Sequence, residues 1–331
     1  MLRRMNFVIA GVTAGLVLAV CSGPAQAQVQ AYPVKPIRLL IPYAPGGGSD
    51  LVVRPVVQQL NEVLRTQILL DNRGGGSGVI ATEAAARSAP DGYTLLVGTT
   101  GTLTLNHVLY AKVPYDPVKD FAPITILALA PNALVSSTKF GPRTIQELIA
   151  YAKANPGRIN YGSAGSPTAV LYLEHIKQLT GADILLVPYK GTGPAFTAIL
   201  AGEVDITLGA AGVFSAAIKD GRLRAMAVGS QERLPSLPDV PSVAESGLLP
   251  GFESASWYGI VAPAGTPRPI ITQLYTEIAK IIKTPEVANR YLADGAFGVG
   301  NTPEDFAERI RNESGRWARI MKAAGMKQES F

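Results

Sequence analysis

Cysteine occurs once in the chain, at Cys21, and histidine twice, at His107 and His175. A disulfide framework and a Cys/His metal centre are thereby excluded, and neither a metal nor a cofactor is expected. Charge is scarce as well, at 17% of residues, with 30 Lys+Arg against 25 Asp+Glu for a net +5. No helix or loop clusters Lys/Arg with interleaved aromatics, so nucleic acid is not an expected partner. The glycine-rich stretches 46–50 and 73–78 complete neither G-x-G-x-x-G nor a Gly-Lys-Ser/Thr phosphate loop, which removes nucleotide binding. There is no G-x-S-x-G nucleophile elbow, and His175, inside Tyr172-Leu173-Glu174-His175-Ile176, reads as an ordinary helix residue. No carboxylate pair stands out at a strand end, Asp205 included, so no catalytic constellation forms and an enzyme is not expected.

What is present is a 331-residue chain, 47% hydrophobic, long enough for two domains with a core each. Residues 1–27 read as an export signal: Arg3 and Arg4, an apolar run from Phe7 to Val20, then Ala25-Gln26-Ala27. Fourteen apolar residues are too few to span a hydrocarbon core about 30 Å thick. Cleavage after Ala27 leaves 304 residues, a net charge of +3 and no cysteine. A soluble exported protein, stable without disulfides, is expected. The alternative is lipidation at Leu18-Ala19-Val20-Cys21, where Val20 occupies a position that usually holds a small residue.

Beyond Ala27, short β-branched or Leu-rich runs alternate with helical patterns, which predicts parallel sheets covered by helices. Strands are expected at 37–43, 67–71, 94–99, 124–136, 159–161, 184–189, 204–209, 223–228 and 257–262. Helices are expected at 50–64, 78–88, 144–155, 168–180, 194–202 and 212–220, followed by an all-helical tail of 270–284, 285–294 and 303–325. The run 124–136, broken by Pro131, and the segment 254–262 are the expected crossings between domains. A discontinuous first domain follows, 28–130 with 255–331, around a second domain at 131–254. Pro55 would cost a helical hydrogen bond, so the first helix is expected to start nearer Arg54.

Two strand-to-helix turns share one chemistry, Tyr43-Ala44-Pro45-Gly46-Gly47-Gly48-Ser49-Asp50 and Ser163-Ala164-Gly165-Ser166-Pro167-Thr168. Loops at the C-terminal ends of parallel strands leave a crevice lined by backbone donors. Glycines let main-chain N–H groups approach a ligand, and the following helix adds its positive end, so such a turn holds an anion without a charged side chain. Taken singly, each is equally a tight turn, with glycine for positive φ and Asp50 as a helix N-cap. As a pair in an exported two-domain chain they favour binding.

The ordered series Pro36-Ile37-Arg38, Pro42–Asp50, Ala89-Pro90-Asp91-Gly92-Tyr93-Thr94, Asp120-Phe121-Ala122-Pro123-Ile124, Asn160-Tyr161-Gly162-Ser163, Val187-Pro188-Tyr189-Lys190-Gly191 and Trp257-Tyr258-Gly259 resembles the solute receptors of tripartite tricarboxylate transporters, the Bug-type receptors. The resemblance runs from about Pro33 to the C-terminal helix. It implies a type II periplasmic binding protein, two α/β domains joined by two crossing strands with a C-terminal helical tail, closing over a small aliphatic or aromatic carboxylate. It implies membrane subunits of a tripartite transporter as partners, or alternatively a sensor protein, and a monomeric receptor. The ligand-holding loops carry over onto Tyr43, Ala44, Pro45, Gly46, Gly47, Gly48, Ser49 and Asp50, and onto Ser163, Ala164, Gly165, Ser166 and Thr168. Thr99, Thr100, Tyr189 and Lys190 end other strands at the same crevice. Gly209-Ala210 stands where many relatives carry an acid and an amide, which argues against an amino-acid ligand because an ammonium group needs a carboxylate partner.

Overall fold

The computed structural model describes residues 32–163, 167–230, 232–247, 254–323 and 327–328, without the side chains of 167–169, 175, 179, 320 and 323. The expected signal segment lies outside the described residues. The chain begins with β1 (Ile37–Ile41), α1 (Gly48–Leu64), β2 (Ile68–Asn72), α2 (Val79–Ala86) and β3 (Thr94–Thr99). A π-helical turn, Gly101–Leu105, and the short α3 (Asn106–Leu109) then lead to the 17-residue β4 (Phe121–Ser137). Next come α4 (Ile145–Ala154), β5 (Ile159–Ser163), α5 (Pro167–Thr180), β6 (Ile184–Pro188), α6 (Thr192–Ala201), β7 (Ile206–Ala210), α7 (Ala211–Lys219) and β8 (Leu223–Val228). The chain returns through β9 (Ala255–Pro263) to α8 (Arg268–Ile282), α9 (Pro285–Ala293), β10 (Phe297–Gly298) and α10 (Pro303–Ala323).

One sheet runs in the order β2-β1-β3-β9-β4-β7-β5-β6, with β8 and β10 pairing β4 off this path. The expectation of parallel sheets holds only for β2-β1-β3 and β7-β5-β6, the strands joined by helical crossovers. Strands β9 and β4 pair antiparallel to each other and to their neighbours, because the chain crosses the middle of the molecule once in each direction. Pairing along β4 changes partner at one point: Pro131 faces Ala255 of β9 and Asn132 faces Ala210 of β7. The crossing is tied by buried bonds from Asn132 N to Ser254 O (2.8 Å), Ser254 N to Gly229 O (2.7 Å) and Gly229 N to Asn132 O (2.7 Å). Asn132 Nδ2 adds a bond to Ser254 Oγ at 2.7 Å.

Two further expectations are corrected. Helix α1 starts at Gly48 and runs through Pro55, rather than starting near Arg54. Pro55 and Leu51, whose carbonyl loses the helical partner, both border an open groove where water can take that carbonyl. The tail is not all helical, since β10 pairs β4 between α9 and α10.

Apolar periodicity supplies the core. Val52, Val53, Val56, Val57, Leu60 and Leu64 form the buried stripe of α1. Leu40, Leu96, Ile126, Trp257, Phe306 and Ile310 build one cluster on the β1–β3 side, and Val135, Ile199, Phe214 and Val228 another on the β7–β8 side. A third cluster joins Tyr161, Leu171 and Tyr172 to Leu105, Val108, Trp317 and Met321. Tyr172 and Trp317 meet edge-on there, with centroids 6.1 Å apart.

Candidate functional site

The glycines after β1 differ in what they do. Only Gly46 has positive φ, +85°, with open space where a Cβ would stand. Gly47 is the N-cap of α1, with extended backbone. A Cβ on Gly48 would overlap the Tyr258 hydroxyl and stand 2.9 Å from Ala210 Cβ, so close approach requires glycine there. Asp50 is not the N-cap. It lies in the first turn, where Oδ2 accepts from Gly46 N at 2.5 Å and Oδ1 meets Arg54 at 3.3 Å, so its carboxylate folds the turn back on itself. Asn72 Nδ2 donates to Tyr43 O at 2.9 Å and holds the strand end beside it.

Around this turn lies a cavity of about 40 Å³, lined by Tyr43, Gly47, Gly48, Ser49, Thr99, Gly101, Asn132, Thr192, Leu208, Gly209, Ala210, Ser256 and Tyr258. Helices α1 and α6 both begin at it, Gly47 standing where a Cβ would be 3.6 Å from Thr192 Cβ. Unbonded N–H groups of helix first turns give such a place positive potential. Ser49 is 3% exposed, and its Oγ has no hydrogen-bond partner among the described residues. A buried hydroxyl left unpaired beside a cavity marks a place where a ligand atom or water completes the bonding. Burial pushes the Tyr43 phenol up to about 12, against a weak opposing bond at 3.4 Å to Thr99 Oγ1. Burial likewise raises the Tyr258 phenol, opposed by a hydrogen bond to Ser256. Both phenols therefore stay protonated and neutral at physiological pH.

Of the residues singled out from sequence, the fold brings Tyr43, Gly47, Gly48, Ser49 and Thr99 to this cavity. Gly46 and Asp50 face the outer groove between α1 and α9. Ala44 N donates to Lys190 O at 3.5 Å, and Pro45 O abuts Gly193, so Ala44, Pro45 and Lys190 form the seam over the cavity. The Lys190 side chain is exposed. Thr100 is a framework residue, its Oγ1 accepting from Trp257 N at 3.0 Å. Ser163 is buried at the end of β5 and its carbonyl accepts from half-buried Tyr189 at 2.8 Å. Ala164, Gly165 and Ser166, and the side chain of Thr168, lie outside the described residues.

Gly101, Asn132, Thr192, Leu208, Ser256 and Tyr258 are not among the site residues expected from sequence, and Gly209-Ala210 enters there only as the departure that argues against an amino-acid ligand. Thr192 and Ala210 carried a readable signal, since each opens or caps a helix directly after a strand. Asn132, Ser256 and Tyr258 come from the crossing strands, whose meeting place no local pattern reveals.

Comparisons with known proteins bear on the family and the fold. Residues 52–326 match the model of the tripartite tricarboxylate transporter family receptor, TctC. Protein BugT of Bordetella pertussis is 34% identical over 315 residues, covering 95% of this chain and 96% of BugT. Among solved structures, R. palustris Rpa4515 with adipate is 33% identical at a TM-score of 0.86, covering 90% of this chain and all of that one. MatC from Rhodopseudomonas palustris with bound malate is 32% identical at 0.83, covering 87% and 99%. With its α/β fold and its cavity at the mouth of α1, the chain belongs to the tripartite tricarboxylate transporter receptor family, whose members are periplasmic binding proteins.

Proposed function

We propose that this protein captures a small organic carboxylate in the periplasm and delivers it to the membrane subunits of a tripartite transporter. The observation that carries this reading is the unpartnered Ser49 hydroxyl at the start of α1, beside a cavity that α6 also opens onto. A carboxylate there accepts from Ser49 Oγ–H and from first-turn N–H groups, and the two helix ends supply the compensating charge. Solved relatives bound to adipate and to malate support the ligand class. The change of partner along β4 between Pro131 and Asn132 supports a two-domain receptor, 28–130 with 255–331 around 131–254.

Binding without turnover is part of the reading. The lining offers neutral phenols and hydroxyls, groups suited to holding an anion rather than to moving protons at neutral pH. Calorimetry on the chain from Gln28 onward, against a panel of organic acids, should find at least one micromolar ligand, about −8 kcal/mol. The bound acid should be recovered unchanged, and deletion should abolish its uptake. No heat from any acid at millimolar concentration, or recovery of an altered compound, would overturn the reading.

A further inference from the structure

Thr144 caps α4 and Thr284 caps α9, each hydroxyl accepting from a first-turn N–H. Thr192, which opens α6, is placed differently. Gly191 takes the cap, because its φ of +152° favours glycine and a Cβ there would stand 3.2 Å from Ala44 N across the seam. Threonine is thereby shifted one place into the helix, where its hydroxyl caps nothing. Thr192 Oγ1 makes no hydrogen bond to any described residue.

Packing fixes where that hydroxyl points. A Cβ on Gly209 would stand 2.8 Å from Thr192 Cγ2, whereas one on Gly47 would stand 3.7 Å from Thr192 Oγ1. The methyl therefore lies against the end of β7, and the hydroxyl faces the turn that opens α1. Thr192 and Ser49 line the same cavity, and the buried Ser49 Oγ is likewise unpartnered among the described residues. They come from opposite halves of the sheet, Ser49 following β1 and Thr192 following β6. A carboxylate has lone pairs enough to accept from both hydroxyls at once.

We infer that the Thr192 hydroxyl is the contact through which a bound carboxylate closes the receptor. The inference rests on the carboxylate reading above and deepens it. Ser49 and the first turn of α1 meet the carboxylate whether or not the seam is closed, so their bonds raise affinity without favouring either state. Thr192 reaches it only across the closed seam. Its bond is thus differential, and only a differential bond shifts the balance between open and closed forms.

Thr192→Val removes the hydroxyl and keeps the shape, and Thr192→Ser keeps the hydroxyl. Both are titrated calorimetrically beside the wild type and Ser49→Ala, each as the chain from Gln28 onward. Adipate, malate and the other panel acids are the probes, and small-angle scattering is recorded with the tightest binder at saturation. Thr192→Val should bind about tenfold or more weakly and contract less than the wild type, while Thr192→Ser should bind within about threefold and contract fully. Ser49→Ala should lose affinity yet contract fully once saturated. Thr192→Ala takes the place of the valine variant if valine lowers the unliganded melting temperature. A variant without the Thr192 hydroxyl that binds as tightly as the wild type, or contracts as fully, would overturn the inference while leaving carboxylate capture intact. So would a Ser49→Ala variant that no longer contracts, since closure would then have no special dependence on Thr192. No heat from the wild type with any acid would overturn capture itself and the inference with it.

Discussion

Ser49 and Gly48 are adjacent, yet the fold asks opposite things of them. Gly48 is a packing position, where any Cβ meets Tyr258 and Ala210. Ser49 contributes nothing to packing through its hydroxyl, because Oγ is buried without a partner among the described residues. Ser49→Ala should therefore leave the unliganded protein as stable as before, or slightly more so, since an unmet polar group is removed. Affinity should fall about tenfold or more, the equivalent of one hydrogen bond of about 1.5–3 kcal/mol to a charged group. Gly48→Ala should lose stability and affinity together. Thermal melts with and without ligand separate the two patterns, and a Ser49→Ala variant that binds like the wild type would remove the hydroxyl from the site.

At the scale of elements, the crossing of β4 and β9 holds the two parts of the sheet together. Ser254→Ala leaves Asn132 Nδ2 unpaired in a buried place, which should cost about 1–3 kcal/mol of stability, read as a lower urea midpoint. An unchanged midpoint would mean that the three main-chain bonds alone secure the crossing. How legible these elements were follows from their physics. Strands β3 and β8 fall on their expected bounds, 94–99 and 223–228, because each is a short apolar run between turn residues. The sequence pattern predicts no element at 101–109. Gly101-Thr102-Leu103-Thr104-Leu105 alternates like a strand, and its helical winding depends on tertiary bonds such as Tyr115 Oη–H to Thr102 O at 2.6 Å. The site divides the same way. Its half on α1 was readable because one contiguous turn makes it, and its half from Asn132, Ser256 and Tyr258 was not, because long-range pairing assembles it.

For the molecule as a whole, the seam over the cavity is close-packed. Ala44 N reaches Lys190 O, and a Cβ on Gly193 would stand 2.5 Å from Pro45 O. A receptor is read by its membrane partner only if loaded and empty states differ, and ligand favours closure by its differential affinity for the closed form. Gly193 is outside the cavity lining but inside this seam, so a side chain there bears directly on whether the seam can close. Gly193→Val should wedge the seam open while leaving Ser49 and the first turn of α1 in place. With saturating ligand, small-angle scattering should show the wild type contracting and the variant staying extended. The variant's affinity should drop about tenfold or more, each factor of ten being about 1.4 kcal/mol of closure no longer captured by binding. Equal contraction in both proteins would show that the seam at 44–47 and 190–193 is not the edge along which this receptor closes.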